Sequence, residues 1–290
     1  MEQRSWDLQL GTLAASWTEL TKLREEIQQV RSAVSAPFCV NLVLAFDQRK
    51  RLELVLGQGV EVVSFSWGVD AALVGRTRDA GASVLVQVGD IHEAKAAATA
   101  GATALIAQGV EAGGHVQATT SLLELVRALR TEVSLPIIAA GGIADGASAR
   151  RAIKAGAQAV ACGTAFLAAS EANVHPAYRA RVLAAEASDT HLTTLFDVGW
   201  PNAPHRVIRN RTHSDWTNAE RPMPGKRPGE GDVIGRRNGD PIARYSDAQP
   251  TRQTEGDIDA MAMYAGTSVD YVSGVAPAKS ITADLAGALR

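Results

Sequence analysis

The chain has 290 residues, close to half of them apolar, with 29 basic and 31 acidic side chains and a formal charge of −2. That balance gives no overall field to draw in nucleic acid or an anionic membrane, and the composition excludes a disordered chain, so small molecules are the expected partners. The cysteines are Cys39 and Cys162, both in apolar runs; the N-terminus lacks a secretory pattern, and no window has the long uncharged run of a membrane span, which together predict a cytoplasmic protein without a disulfide framework.

From Leu8 to about Thr190, short apolar runs alternate with longer amphipathic ones, the pattern of consecutive strand–helix units around a parallel sheet. Strands are expected over 8–14, 38–43, 60–66, 83–88, 102–108, from Pro136, and over 159–164. Helices are expected over 18–32, 48–56, 71–80, 92–100, 122–133 and 147–154, the first capped by Thr18 and the fifth presenting Leu122, Leu125, Val126 and Leu129 on one face. Ala-Gly pairs at Gly81 and Gly101, and Gly156 after Ala155, predict helices closed by a left-handed glycine just before the next strand. Seven strands in this order predict an α/β fold of the TIM (β/α)8 type. The barrel is expected to be incomplete, because seven residues precede the first strand, too few for another strand and helix.

After Glu171 the character changes. A helix is expected over 175–187, with Pro176 in its tolerant first turn. Residues 197–257 are rich in Gly, Pro and Arg and read either as a flexible tail or as an ordered lid. Acids are interspersed among the arginines and no aromatic stacking pattern accompanies them, which argues against nucleic acid. Helical periodicity returns over 258–265 and 276–289. The expected organisation is therefore a barrel over 1–190, a lid or insertion over 191–257, and C-terminal helices over 258–290 that pack back on the body.

The stretch Gln108 to His115 leaves an apolar strand and delivers a histidine behind the pair Gly113-Gly114, where the backbone allows a flat ring to lie close. Barrel active sites lie at that end of a strand, and imidazole can take or hold a proton near neutral pH. Glu111 nearby is either a solvated loop residue or a helper that orients its neighbours. The next two strands end in Gly141-Gly142 and in Cys162-Gly163-Thr164, and glycines at successive strand ends point to a phosphate site. Asp145 is expected to cap the following helix rather than face an anion. Asn41, Gln87 and Gln108 are amides in otherwise apolar strands; a heteroaromatic ring edge would satisfy them, and so would neighbouring backbone. The other histidines, at 92, 175, 191, 205 and 213, show no ligand spacing, so no metal is expected. Neither a Gly-x-Ser-x-Gly elbow nor a Walker-type loop is present.

Taken together, Val40-Asn41-Leu42, Gln108 with Glu111-Ala112-Gly113-Gly114-His115, Ala139-Ala140-Gly141-Gly142-Ile143, Gly163-Thr164-Ala165-Phe166 and Tyr264-Ala265-Gly266-Thr267 resemble the nitronate monooxygenase family of FMN-dependent barrels. The resemblance implies that Asn41, Gln87 and Gln108 meet the isoalloxazine or ribityl groups of FMN. It implies that Gly113, Gly142, Ala161, Cys162, Gly163 and Thr164 hold ribityl and phosphate, with Gly114, Gly141, Gly266 and Thr267 in the same cofactor site. His115 matches the family's catalytic base. The implied reaction is oxidation of an alkyl nitronate, or of a nitroalkane, by O2 to a carbonyl compound and nitrite. Related FMN enzymes that use NAD(P)H to reduce quinones or enoyl thioesters share the pattern and supply an alternative. The family normally opens with a strand, a turn that touches FMN and a helix, and this chain begins after them, which makes a non-catalytic remnant a further alternative. Thr267 stands where the family commonly has Gln. The sequence sets no oligomeric state.

Overall fold

A computed structural model describes residues 9–287. Residue 8 and residues 288–290 lie outside the described range, so the outermost positions of the first expected strand and the last expected helix do too. The chain divides into two compact units, one formed by Met1–Gln108, Gln117–Ala139 and Ala152–Val160, the other by Gly109–Val116, Ala140–Arg151 and Ala161–Arg290.

The principal sheet has seven strands in the spatial order β1 (Thr12–Ala14), β2 (Cys39–Val43), β3 (Val62–Ser66), β4 (Ser83–Val88), β5 (Ala104–Gln108), β7 (Ile137–Ala140) and β8 (Ala159–Ala161). β1 to β5 pair parallel in sequence order, as the alternation of strands and helices predicts. The interiors of β2 to β5 are uncharged and almost continuously buried, which is what a parallel sheet flanked by helices demands. Between the strands run α1 (Leu20–Ala33), α2 (Arg49–Gly57), α3 (Ala71–Asp79), α4 (Ile91–Ala100), α5 (Leu122–Glu132) and α6 (Gly146–Ala155).

The expected face of α5 is the buried one: Leu122, Leu125, Val126 and Leu129 are at most 3% exposed. α1 is capped one residue later than expected. Glu19, not Thr18, caps it, its carboxylate accepting from the amides of Thr21 at 2.8 Å and Lys22 at 3.2 Å. α4 ends on Gly101 at φ 96°, a left-handed conformation in which a Cβ would also strike the Arg78 guanidinium at 2.7 Å.

The second unit carries the loops after β5, β7 and β8 together with most of the C-terminal half. Residues 197–257 are ordered rather than a flexible tail. β6 (Gly114–His115), β10 (His205–Ile208) and β9 (Thr190–Thr193) form one antiparallel sheet, and β12 (Asp240–Ala243), β11 (Val233–Arg237) and β13 (Thr254–Gly256) another. The unit's remaining helices are α7 (Thr164–Leu167), α8 (Pro176–Ala184), α9 (Arg211–Asn218) and α10 (Ala278–Gly287). Its core gathers Tyr178, Val182, Ile208, Met261, Met263 and Val269. Arg227, with a side chain 4% exposed, lies over the Tyr245 ring and pairs with Asp197 at 2.8 Å and with Glu230.

The helix expected over 258–265 is not formed. A 3-10 turn at Ile258–Ala260 gives way to extended chain. Ala260, Met261, Ala262 and Met263 are all at most 1% exposed, so this strip has no polar side to turn toward water as an amphipathic helix would. Its carbonyls are taken instead by other parts of the unit: Ala260 by the Thr212 hydroxyl at 2.7 Å, Met261 by the Asn210 amide at 2.6 Å, and Met263 by the Ile208 N–H at 2.8 Å. Among the described residues no helix is long and apolar enough to cross a membrane.

Candidate functional site

In the second unit, the chain leaving β5 makes the loop 109–113 and enters β6, where His115 pairs with His205 of β10. The His115 ring stacks on Trp200 with centroids 4.2 Å apart and planes 26° apart, and meets His205 at 5.3 Å and Tyr264 at 5.5 Å. Burial, with a smaller contribution from His205, pushes the His115 pKa down to about 4, so the ring is a neutral imidazole at neutral pH. His205 is fully buried and its tautomer is set by its partners. Nε2 accepts the Phe196 N–H at 3.2 Å, which leaves Nδ1–H to donate to the Ala203 carbonyl at 2.9 Å. With both nitrogens engaged in the neutral form, His205 supports His115 without offering it a proton. The Tyr264 hydroxyl donates to the Asp247 carbonyl at 2.8 Å, and burial raises its pKa, so it too stays neutral.

The glycine loops of this unit close on one another. A Cβ on Gly113 would lie 2.3 Å from the Gly266 nitrogen, and one on Gly266 would lie 2.6 Å from the Glu111 carbonyl oxygen. Gly113 is therefore needed for the approach of the 265–267 turn. That turn is tied down by Thr267 N–H to the Glu111 carbonyl at 3.0 Å and by Gly266 N–H to the Thr164 hydroxyl at 2.9 Å. Gly141 and Gly142 sit against Ala112 and Glu111, with the Thr267 hydroxyl 3.5 Å from where a Gly142 Cβ would be. The backbone at Gly114 and Gly163 is open, with nothing within 4 Å of an added Cβ. Ala161 and Cys162 are partly buried, and burial raises the Cys162 thiol to about 11, so it is not a thiolate. Asp145 caps α6 as expected: its carboxylate accepts from Ser148 N–H at 2.7 Å and from the Ser148 hydroxyl at 2.5 Å.

In the first unit the three amides have protein partners. Asn41 Oδ1 accepts from the Ser64 hydroxyl at 2.9 Å. Gln87 and Gln108 both bond to Gln117, a residue without a role in the sequence analysis: Gln87 Nε2 donates to its Oε1 at 3.2 Å and its backbone N–H donates to Gln108 Oε1 at 3.0 Å. Trp200, His205 and Gln117 are functional candidates that sequence reasoning missed. Tyr264 stands within the quoted Tyr-Ala-Gly-Thr motif and was recoverable from it.

A family model for nitronate monooxygenase matches residues 44–287. The chain belongs to the nitronate monooxygenase family. The matched span contains every candidate residue named above except Asn41. Among individual relatives, a (3aS,4S,5R,7aS)-5-hydroxy-7a-methyl-1-oxo-octahydro-1H-indene-4-carboxyl-CoA dehydrogenase from Mycobacterium tuberculosis is 39% identical over 69% of this chain and 56% of its own length. The chain spans about half the length of the first curated relatives it matches. FabK from Thermotoga maritima superposes with a TM-score of 0.80 at 28% identity, over 96% of this chain and 84% of that one. A nitroalkane oxidase from Streptomyces ansochromogenes gives a TM-score of 0.74 at 27% identity, over 97% and 89%. Proteins similar to this chain thus carry differently named reactions, and the site chemistry has to discriminate among them.

Proposed function

We propose that the chain holds FMN and oxidises alkyl nitronates with O2 to a carbonyl compound and nitrite. The observation that carries this reading is His115, a neutral imidazole framed by Trp200, Tyr264 and His205 at the end of the family's loop motif. FMN, when bound, supplies the redox chemistry.

The residues fit such a group. Gly163 and Gly114 leave open backbone, the Thr267 hydroxyl stands beside Gly142, and the Asp145 carboxylate is turned onto Ser148 instead of opposing an anion. Backbone N–H groups at Gly142, Gly163 and Thr164 would hold the phosphate. Ala161 and Cys162 lead into that turn, and Gly113, Gly141 and Gly266 keep the loops in place. The amides Asn41, Gln87 and Gln108 would face the ring.

A desolvated imidazole with a pKa near 4 is a weak base toward a neutral carbon acid. A nitronate is already ionised and needs no C–H abstraction, and its negative charge beside His115 favours the imidazolium, so one His115 nitrogen takes and holds a proton as the anion binds. Trp200, 7% exposed, covers one face of the ring and limits water there. The test is flavin absorbance of the purified protein followed by nitrite release from propionate 3-nitronate and from 2-nitropropane. Nitrite from the nitronate at a rate well above that from the neutral nitroalkane is expected; flavin without nitrite from either rejects the reaction.

A second reading, an FMN-dependent oxidoreductase of acyl thioesters, is favoured by the 39% identity to a protein named as a carboxyl-CoA dehydrogenase. Bleaching of the flavin by NADPH without oxygen, or by a CoA thioester, supports this reading over the first.

A further inference from the structure

The amide of a glutamine looks the same either way round, so its neighbours decide which end is oxygen. For Gln117 they do decide. The backbone N–H of Trp67, 3.0 Å from Oε1, can only donate, and Nε2 lies 3.0 Å from the Glu93 carboxylate, whose other oxygen accepts the Gly89 N–H at 2.6 Å. The choice then propagates. Gln87 must turn its nitrogen toward Gln117 Oε1, at 3.2 Å, and so points its own Oε1 elsewhere. Gln108 Oε1 accepts the backbone N–H of residue 117 at 3.0 Å, a bond that does not depend on the Gln117 side chain. Asn41 is different, because its neighbours are the Ser64 and Ser66 hydroxyls, which can donate or accept. Trp67 itself follows β3 at φ 63°, a left-handed conformation that is strained for an aromatic residue, and its bond to Gln117 helps to hold it there.

We infer that Gln117, braced by Glu93, is a positioning residue that fixes the amide polarity of Gln87 at the end of β4, so that Gln87 meets a bound ring as an acceptor. Such an acceptor complements a ring N–H, as in the imide of the flavin pyrimidine ring; in this respect the inference rests on the flavin reading above.

The test uses the full chain with two probes, FMN and its N3-methyl analogue, which lacks the ring N–H. Gln117→Leu is expected to weaken FMN binding about tenfold, the equivalent of one lost hydrogen bond, and to change binding of the analogue less than about twofold. The paired exchange Gln117→Glu with Glu93→Gln keeps every bond of the network, since the new carboxylate accepts from Trp67 and Gln87 while the new amide accepts from Gly89 and donates to residue 117. It should restore FMN binding to within about twofold of the parent. Equal losses for both probes, no loss for either, or failure of the paired exchange to restore binding overturns the inference. Hydrogen exchange at the Trp67 amide in the flavin-free protein gives a readout independent of the cofactor: it should accelerate about tenfold in Gln117→Leu and return in the paired variant. If the parent binds neither flavin, the flavin reading fails, and unchanged Trp67 exchange in Gln117→Leu would separately overturn the positioning role.

Discussion

Replacing Gly113 by alanine tests whether this glycine serves the cofactor or the fold. The new Cβ would lie 2.3 Å from the Gly266 nitrogen and 2.5 Å from the Ala265 carbonyl carbon, where carbon contacts are comfortable only at about 3.5–4.0 Å. Both atoms are backbone, so no rotamer change relieves the clash and one loop must move. The movement would stretch Thr267 N–H to Glu111 O and Gly266 N–H to Thr164 Oγ1, the two bonds beside the contact. Overpacking costs about 1–3 kcal/mol, and a weakened bond adds about 1 kcal/mol, so Gly113→Ala should destabilise by about 2–4 kcal/mol. In urea at 25 °C that is a midpoint shift of about 1 M or more. Gly163→Ala is the control, since its Cβ would meet nothing within 4 Å and its φ of −121° lies outside the left-handed region. Its stability should change by less than about 0.5 kcal/mol while its affinity for FMN falls at least about tenfold. A wild-type midpoint for Gly113→Ala would refute the packing argument, and undiminished FMN affinity in Gly163→Ala would refute the phosphate assignment.

The other expectations concern charge and protons. His115→Gln should retain flavin and lose about 100-fold or more in nitrite formation; a variant with full activity removes His115 from the chemistry. His115 and His213 are both pushed from 6.5 down to about 4, chiefly by burial. The unfolded chain therefore binds more protons than the folded one between these values, so stability should fall as pH drops from about 6.5 to about 4 and level off below. Urea midpoints measured across that window should lose part of their slope in His213→Gln, and an unchanged slope would show that His213 does not contribute. Arg227→Met leaves Asp197 and Glu230 without their shared cation in a largely buried setting and should cost about 3–5 kcal/mol, whereas replacing a surface pair such as Lys95 with Glu132 should cost under about 1 kcal/mol.

Much of the fold was legible because its signals are local. Runs such as 83–88 are buried on both faces and read as parallel strands, and the helices between them announce themselves by spacing and by closing glycines. The ordered second unit also left one clear local mark. Asn238-Gly239, between β11 and β12, is a strong hairpin signal, and both residues have positive φ, 52° and 92°. The Gly, Pro and Arg content around it pointed to a tail or a lid, and composition, averaged over sixty residues, masked a two-residue turn. The strip at 258–265 misled in the opposite way. Its apolar spacing suited a helix, but the partners of its carbonyls are Thr212, Asn210 and Ile208, so the decision between helix and extended chain was made by residues far from it in sequence.

The site divides along the same line. His115 could be placed at a strand end from its own neighbourhood, but what makes it a neutral imidazole is its burial with Trp200, His205 and Tyr264, which arrive from three later segments. Gly113 shows why such partners are hard to foresee. Read beside Gly114 and His115, it suggests room for a ring; read beside Gly266, it is filled by backbone, and the open position passes to Gly114 and Gly163. A glycine records that something approaches the chain closely. Whether that something is a ligand or another loop depends on a second residue, and the two possibilities predict opposite phenotypes, loss of stability in one case and loss of binding in the other.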